Sequence, residues 1–568
     1  MATSQEYDAV IIGSGAGAGP VALTLSEQGY KVLVLEKGPW YREQDYYKDE
    51  LAAGRRNVYT PQLKDEFHVL EEEYQDGSWR SESTADSGWS FWNGNVVGGS
   101  SNFMSGFFYR LKPSDLKLKS TYGNIDGANV ADWPIDYAEL EPYYSLAEHR
   151  VGISGKVVKH AFLEPRSEAN FPLPPTAEHA ISGWFDSSSR ALGFTPLPTA
   201  RAVLSVPQAG RHSCEYAGYC GSYGCATGAK GSARAALLDP AVATGNCEIR
   251  PHSKVFKIES NARGEASAIH YYDRHGARQS VRAKVYVVAC QAIESARLLL
   301  ASTGPKHPDG LGNRYQQVGK NLLFSAGGVG HGDFYYDQLT EARAEQLKVV
   351  GPFVNRGLQD WYQINDKQFT GQRAANGTAK GGTIDFLLAH PNAISRANRM
   401  KWDADDRLLW GGALKTQLHQ GFTGSRTFDF EVFNDWLPTD NCFVSLDPEQ
   451  RDRWGDPVAK IRIGFHDHDL QVGEYMAKKG EQVLQHMGAK NIRSNISGYP
   501  AQNLQAGGCR FGDDPRHSVL DRDCRIHDCA NVFVSDGSFM PTGGSVPYTW
   551  TIYANAFRVA DKIVKQLG

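Results

Sequence analysis

A glycine-rich turn between two short apolar runs near the N-terminus constrains this chain more than any other feature. Tyr7-Asp8-Ala9-Val10-Ile11-Ile12 ends at a glycine and reads as a buried parallel strand. Gly13-Ser14-Gly15-Ala16-Gly17-Ala18-Gly19 is the turn, and Pro20 is tolerated at the start of the helix that follows. Val21, Leu23 and Leu25 carry that helix to Gly29; Lys31-Val32-Leu33-Val34-Leu35 is a second strand, closed by Glu36 and Lys37. Gly13, Gly15 and Ala18 fill the pattern G-x-G-x-x-G/A, and Glu36 lies 23 residues beyond Gly13. In such a unit Gly13 makes the tight turn and Gly15 lets backbone approach a pyrophosphate. Ala18 permits close helix–strand packing, and the acid receives a ribose hydroxyl. An acid in place of Arg at the ribose disfavours a 2′-phosphate. The bland alternative is a tight turn joining packed elements.

The rest of the composition narrows the class. The chain has 568 residues, a length that suits a large multidomain enzyme at roughly 150 residues per domain. Lys and Arg number 60 against 64 Asp and Glu, so no broad electrostatic footprint for nucleic acid is expected. The nine cysteines do not form a disulfide framework. No run of eighteen apolar residues is present to span a bilayer, so a soluble chain is expected. Met1 to Tyr7 is polar and carries no signal peptide. The expected location is the cytoplasm, or the periplasm if a signal-bearing partner exports the chain.

Residues 38–86 are polar, aromatic and irregular, as in an excursion over the surface. Tyr137 to Val151 reads as a helix, Cys247 to Ile258 and Ala283 to Ala289 as strands, and Ala292 to Ser302 as a helix. Residues 320–495 change character. Thr427-Phe428-Asp429-Phe430-Glu431-Val432-Phe433 alternates as a half-buried antiparallel strand does, and Leu470 to Met487 is helical. A final βα unit spans Val532 to Leu567.

Three further segments carry a resemblance: Val97-Gly98-Gly99-Ser100-Ser101, Ala289-Cys290-Gln291-Ala292-Ile293-Glu294-Ser295, and Val534-Ser535-Asp536-Gly537-Ser538-Phe539-Met540-Pro541. With the N-terminal turn, they resemble the glucose–methanol–choline oxidoreductase family of flavoproteins in order and content, except that Gln291 replaces a usual glycine. The resemblance implies an α/β fold: a Rossmann-type FAD-binding domain assembled from 1–40, 85–130, 200–320 and 496–568. It implies a substrate domain with a mostly antiparallel sheet from 131–199 and 321–495, and a cap from 41–84. It implies that FAD is held by Gly13, Gly15, Ala16, Gly17, Ala18, Glu36 and Lys37, then by Gly98, Gly99, Ser100, Asn102, Met104, Ser105, Val255 and Ala289. Asp536, Gly537, Pro547, Tyr548 and Thr549 would complete the site. Members with a histidine-linked flavin carry His after Gly-Gly-Ser; here Asn102-Phe103-Met104 stands there, which implies an unlinked flavin.

Cys214-x5-Cys220-x4-Cys225 lies in a Gly- and Tyr-rich stretch. Three thiolates on one loop suit an iron–sulfur cluster or a zinc ion, and a purely structural loop is the alternative. The stretch is similar to the cysteine-rich loop of the family's sugar dehydrogenase large subunits, which implies a three-iron four-sulfur cluster, a small subunit and a cytochrome c partner. The family's catalytic histidine position is occupied by Leu504, and the second partner's position by Pro547. Neither exchanges a proton. Asn503, Gln505 and Tyr548 flank the vacated positions and are the expected substitutes. His466 and His468 read as a solvated turn, and His517 and His527 as surface residues. Trp361, Tyr362, Trp410 and Trp436 suit either sugar stacking or the core.

The resulting expectation is an FAD-dependent dehydrogenase oxidising a hydroxyl of a sugar, glycoside or sugar acid, with electrons leaving to a non-oxygen acceptor. A non-catalytic flavin-binding subunit and a lyase on the same scaffold are the rivals.

Overall fold

The strand Glu6–Ile12 pairs in parallel with Val32–Leu35 on one side and with Arg278–Val288 on the other. Its apolar run is continuous because Ala9 to Ile12 are buried, as expected of a strand covered on both faces. The sheet continues from Val32–Leu35 to Cys247–Arg250, and from Arg278–Val288 to the parallel Val532–Val534. Arg278–Val288 also leads through Ala266–Tyr272 into Lys254–Ser260, both antiparallel. The helix Ala18–Glu27 packs on the C-terminal helix Thr549–Leu567, which also packs on Tyr137–Val151. This computed structural model describes residues 6–46, 50, 67–74, 76–87, 91, 93–388, 392–403, 405, 407–496 and 504–568.

A second sheet is antiparallel throughout. Its order is Lys490–Asn495, Ser325–Tyr335, Ser425–Asp435, Gly382–Leu388, Arg356–Leu358 and Leu197–Pro198. Phe428, Phe430 and Val432 point one way, into a core with Val472, Met476, Val483 and Leu484 of the helix Asp467–Met487. Asp429, Glu431 and Phe433 therefore point the other way, since successive side chains alternate across a strand. The α/β architecture, with a largely parallel sheet and a separate antiparallel one as its two largest, is that of the sequence-based expectation.

Two expectations change. Cys247 to Ile258 is two strands, because Pro251, which has no N–H to give a ladder, falls in the break that sends Lys254–Ser260 to a new partner. Within the supposed irregular excursion, Val69–Glu73 and Trp79–Ser83 form a hairpin that joins Pro457–Ile463. Trp133 to Ile153 and the strands Phe443–Arg451 and Pro457–Ile463 bury apolar residues in one core with those of Glu6–Ile12.

Candidate functional site

One cavity of about 530 Å³ opens where the two sheets face each other. Gly13, Gly15, Ala16, Gly17, Glu36 and Lys37 form its N-terminal wall, and Gly99, Ser100, Met104 and Ser105 the next. Val255, Ala289, Gln505, Asp536, Gly537, Pro547, Tyr548 and Thr549 also line it. Leu387, Glu431 and Phe433 come from the second sheet. Ala18, Gly98 and Asn102 stand behind the wall. Ala18 is buried in its helix. The Asn102 amide donates to the Val97 and Gly99 carbonyls (2.9 and 3.1 Å), so it braces the second glycine loop without touching the cavity.

The two N-terminal glycines do different work. A Cβ on Gly13, whose φ is +91°, would lie 2.4 Å from the Ala289 oxygen; a Cβ on Gly15 would meet nothing within 4 Å. Gly13 is thus required by the fold, while Gly15 leaves room for a ligand to approach. Glu36 is held in place by the Ser14 hydroxyl (2.5 Å) and the Gly38 N–H (2.8 Å). Asp536 accepts from Ser295 Oγ, the Gln291 N–H, Ser538 Oγ and the Ser538 N–H; burial still pushes its carboxyl above the ordinary range. The helix Thr549–Leu567 begins at the cavity, and its N-cap residue Tyr548 makes no side-chain cap. Its unsatisfied N–H groups and dipole give that wall a positive character.

Leu504 and Pro547, which the sequence resemblance puts at the proton-exchanging positions, both line the cavity as inert wall. Asn503 lies outside the described residues. Gln505 is committed at both ends: its Nε2 donates to the Phe91 oxygen (2.7 Å) and its Oε1 accepts from Gln291. The Tyr548 hydroxyl donates to the Leu504 carbonyl, and burial raises its pKa well above the ordinary tyrosine value. Neither side chain is poised to receive a proton. His466 caps the helix Asp467–Met487, with its Nε2 2.8 Å from the Asp126 oxygen. His468 is buried, not solvated, and burial lowers its pKa to about 4. Neither histidine lines the cavity, and His517 and His527 lie elsewhere too. None of the four aromatic residues lines the cavity: Trp361, Tyr362 and Trp436 are core residues and Trp410 is 82% exposed.

Sequence reasoning missed the acidic face of the second sheet. Asp385 and Glu431 are register partners on adjacent strands, with Asp429 two residues along. Burial, then the charges of Asp385 and Asp429, raise Glu431 to about 7. Burial raises Asp385 to about 7 as well, against the lowering effect of the Tyr109 hydroxyl and Arg201. The signal was present in the alternation of residues 427–433. That pattern separates a polar from an apolar face but does not distinguish solvent from a cavity wall.

A second cavity of about 260 Å³ is lined by Cys214, Cys220 and Cys225 and shares Ser105, Phe107 and Leu387 with the first. The Tyr216 N–H points at Cys214 Sγ and the Lys230 N–H at Cys225 Sγ, each at 3.4 Å. Burial, with the other two thiols, raises Cys214 to about 11. Burial also acts to raise Cys225, but Lys230 and nearby hydrogen bonds bring it below the ordinary thiol value. Among the described residues, no three His, Cys, Asp or Glu side chains are arranged to hold a single metal ion. Also among them, no helix is long and apolar enough to cross a membrane.

Over residues 201–325 and 438–556 the sequence matches a family described as GMC oxidoreductase. The 6'''-hydroxyparomomycin C oxidase of Streptomyces lividus is 30% identical over 99% of this chain and 92% of its own. The fructose dehydrogenase large subunit of Gluconobacter japonicus is 26% identical over 99% of this chain and 98% of its own. A substituted form of the Aspergillus oryzae RIB40 formate oxidase shares the fold, with a TM-score of 0.65 at 14% identity and 100% of both chains covered.

Proposed function

The chain belongs to the GMC oxidoreductase family, and on that footing we propose that it is an FAD-dependent dehydrogenase oxidising a hydroxyl of a sugar, glycoside or sugar acid. The observation that carries this reading is the extent of the cavity. It runs from the Gly15 cradle, where a pyrophosphate has room, to the acidic face of the second sheet, and so joins a nucleotide cradle to carboxyl groups that an alcohol could meet. FAD fits the residues present: Glu36 is placed for a ribose, Gly15 and the helix Ala18–Glu27 for phosphates, and the positive end of Thr549–Leu567 for an electron-rich ring. When bound, FAD accepts the two electrons of the alcohol carbon. The named relatives, one for hydroxyparomomycin C and one for fructose, support a sugar-based substrate.

We further propose that electrons leave through an iron–sulfur cluster on Cys214, Cys220 and Cys225 toward a cytochrome, with a small subunit alongside. The residues fit such a group. Arg201 and Lys230 are buried beside the thiols and make no ion pair among the described residues; Lys230 Nζ instead donates to the Asn102, Cys220 and Tyr223 carbonyls. Two buried cations beside the thiols favour an anionic thiolate cluster. Cys214, Cys220 and Cys225 line one cavity, and thiolates are the ligands of iron–sulfur clusters. The shared wall keeps the two centres adjacent. Leu504 and Pro547 favour the rival reading, a non-catalytic subunit.

Dye reduction under argon by a panel of sugars and glycosides, with iron and sulfide analysis of the same sample, tests both parts. Sugar-dependent dye bleaching with iron and sulfide present is expected. Oxygen uptake without dye reduction would contradict the dehydrogenase reading, and an iron-free sample that reduces dye would remove the cluster alone.

A further inference from the structure

If the cavity oxidises an alcohol, a group in its wall must take the hydroxyl proton, and the family's two positions for that task hold Leu504 and Pro547. Most titratable side chains of the wall are already engaged. Glu36 accepts from Ser14 and Gly38. Glu294 pairs with His68 (3.0 Å) and Arg297 (3.0 Å), and Lys254 with Asp452. Asp536 takes four donors, and the Cys290 thiol donates to the Ile12 carbonyl (3.2 Å). The Tyr548 hydroxyl keeps its proton and donates a hydrogen bond to the Leu504 carbonyl. The Glu431 carboxyl has no hydrogen-bond or ion-pair partner among the described residues, and it reaches the cavity from the sheet opposite the glycine turn.

We propose that the Glu431 carboxylate is the base that takes the alcohol proton, an assignment resting on the reading of this cavity as an FAD and alcohol site. In the step, the alcohol O–H bond breaks with its proton going to a Glu431 Oε. The C–H bond breaks with its hydrogen and electron pair going to the bound flavin, and a C=O bond forms. The acceptor then removes the electrons.

The surroundings set the pH at which Glu431 is ready. Asp385 faces it directly from Gly382–Leu388, bonded in turn by Tyr109 and Thr199. On the other side, Val329 of Ser325–Tyr335 is its register partner and brings no charge. Asp429 lies two residues along, opposite His331 and near Asp333, Arg396, Arg399 and Arg426. Arg201 is the cation that acts on Glu431; it bonds Asn355 Oδ1 (2.6 Å) and the Ser105 carbonyl (2.9 Å). Burial and two like charges outweigh that single cation, so the carboxyl titrates near 7.

The test follows anaerobic flavin reduction by a reactive sugar over pH in wild type, E431Q and E431D, each first assayed for bound FAD. Wild type is expected to speed up about tenfold per pH unit until it levels near pH 7. E431Q should lose that limb and slow by about 10²- to 10⁴-fold, while E431D keeps the limb at a reduced rate. A second readout needs no turnover. Infrared titration of the substrate-free holoenzyme should show carboxyl C=O absorption that fades between about pH 6 and 8 in wild type, with the Glu431 part of it lost in E431Q and that of Asp385 left. An E431Q that bleaches at the wild-type rate, or infrared titrations that coincide, overturns the assignment and leaves the proposed function standing. If E431Q does not retain FAD, an E431D with the wild-type rate at every pH overturns it instead. A wild type that no alcohol bleaches sinks the function and this assignment together.

Discussion

At the scale of single residues, Gly13 and Gly15 separate folding from binding although they stand two positions apart. Gly13→Ala places a methyl on the Ala289 carbonyl at an unfavourable φ, and is expected to cost about 2 kcal/mol or more of stability. Gly15→Val extends into open space, so the cofactor-free protein should unfold within about 0.5 kcal/mol of wild type while FAD retention falls at least about tenfold. Chemical denaturation and the flavin released on heating measure the two effects, and equal losses in both variants would contradict the distinction. Gln291 shows where a sequence pattern stops being informative. It replaces a glycine of the family signature and sits at φ +78°, ψ 151°, a region that costs a non-glycine residue roughly 1–3 kcal/mol. Its side chain offsets the strain by capping Ile293 (3.0 Å) and bonding Gln505. That brace cannot be read from residues more than two hundred positions apart.

At the scale of elements, the long periodic segments were legible: the first strand, the helices Tyr137–Val151 and Asp467–Met487, and the alternation of Ser425–Asp435. What faces the polar side of that strand was not, because burial by a cavity leaves the same pattern as exposure to water. The consequence is measurable in stability. The folded-state pKa of Glu431 is raised, so between about pH 4.5 and 7 the unfolded chain releases a proton that the folded chain keeps. Its contribution to stability is therefore fullest in acid and is lost as pH rises toward 7. Glutamine cannot titrate and escapes that loss. The stability of E431Q relative to wild type should rise by on the order of 2 kcal/mol from pH 5 to pH 8. Urea denaturation at both pH values measures the change, and a constant difference would contradict the half-buried, unpaired state of the carboxyl.

At the scale of the whole molecule, the glycine signatures announced the nucleotide half, while the chemical half arises from segments that carry no local motif. Leu387, Glu431 and Phe433 become a site only when the second sheet closes over Leu504 and Tyr548. The thiol cavity likewise becomes a neighbour of the first only through the shared Ser105, Phe107 and Leu387. The account depends on one cavity that holds both FAD and an alcohol. The most direct measurement is the visible absorbance of the purified, FAD-loaded protein when sugars and glycosides are added without oxygen. The account predicts that at least one sugar bleaches the flavin fully and that admitting an electron-accepting dye restores the colour. A flavin spectrum unchanged across the whole panel would contradict it.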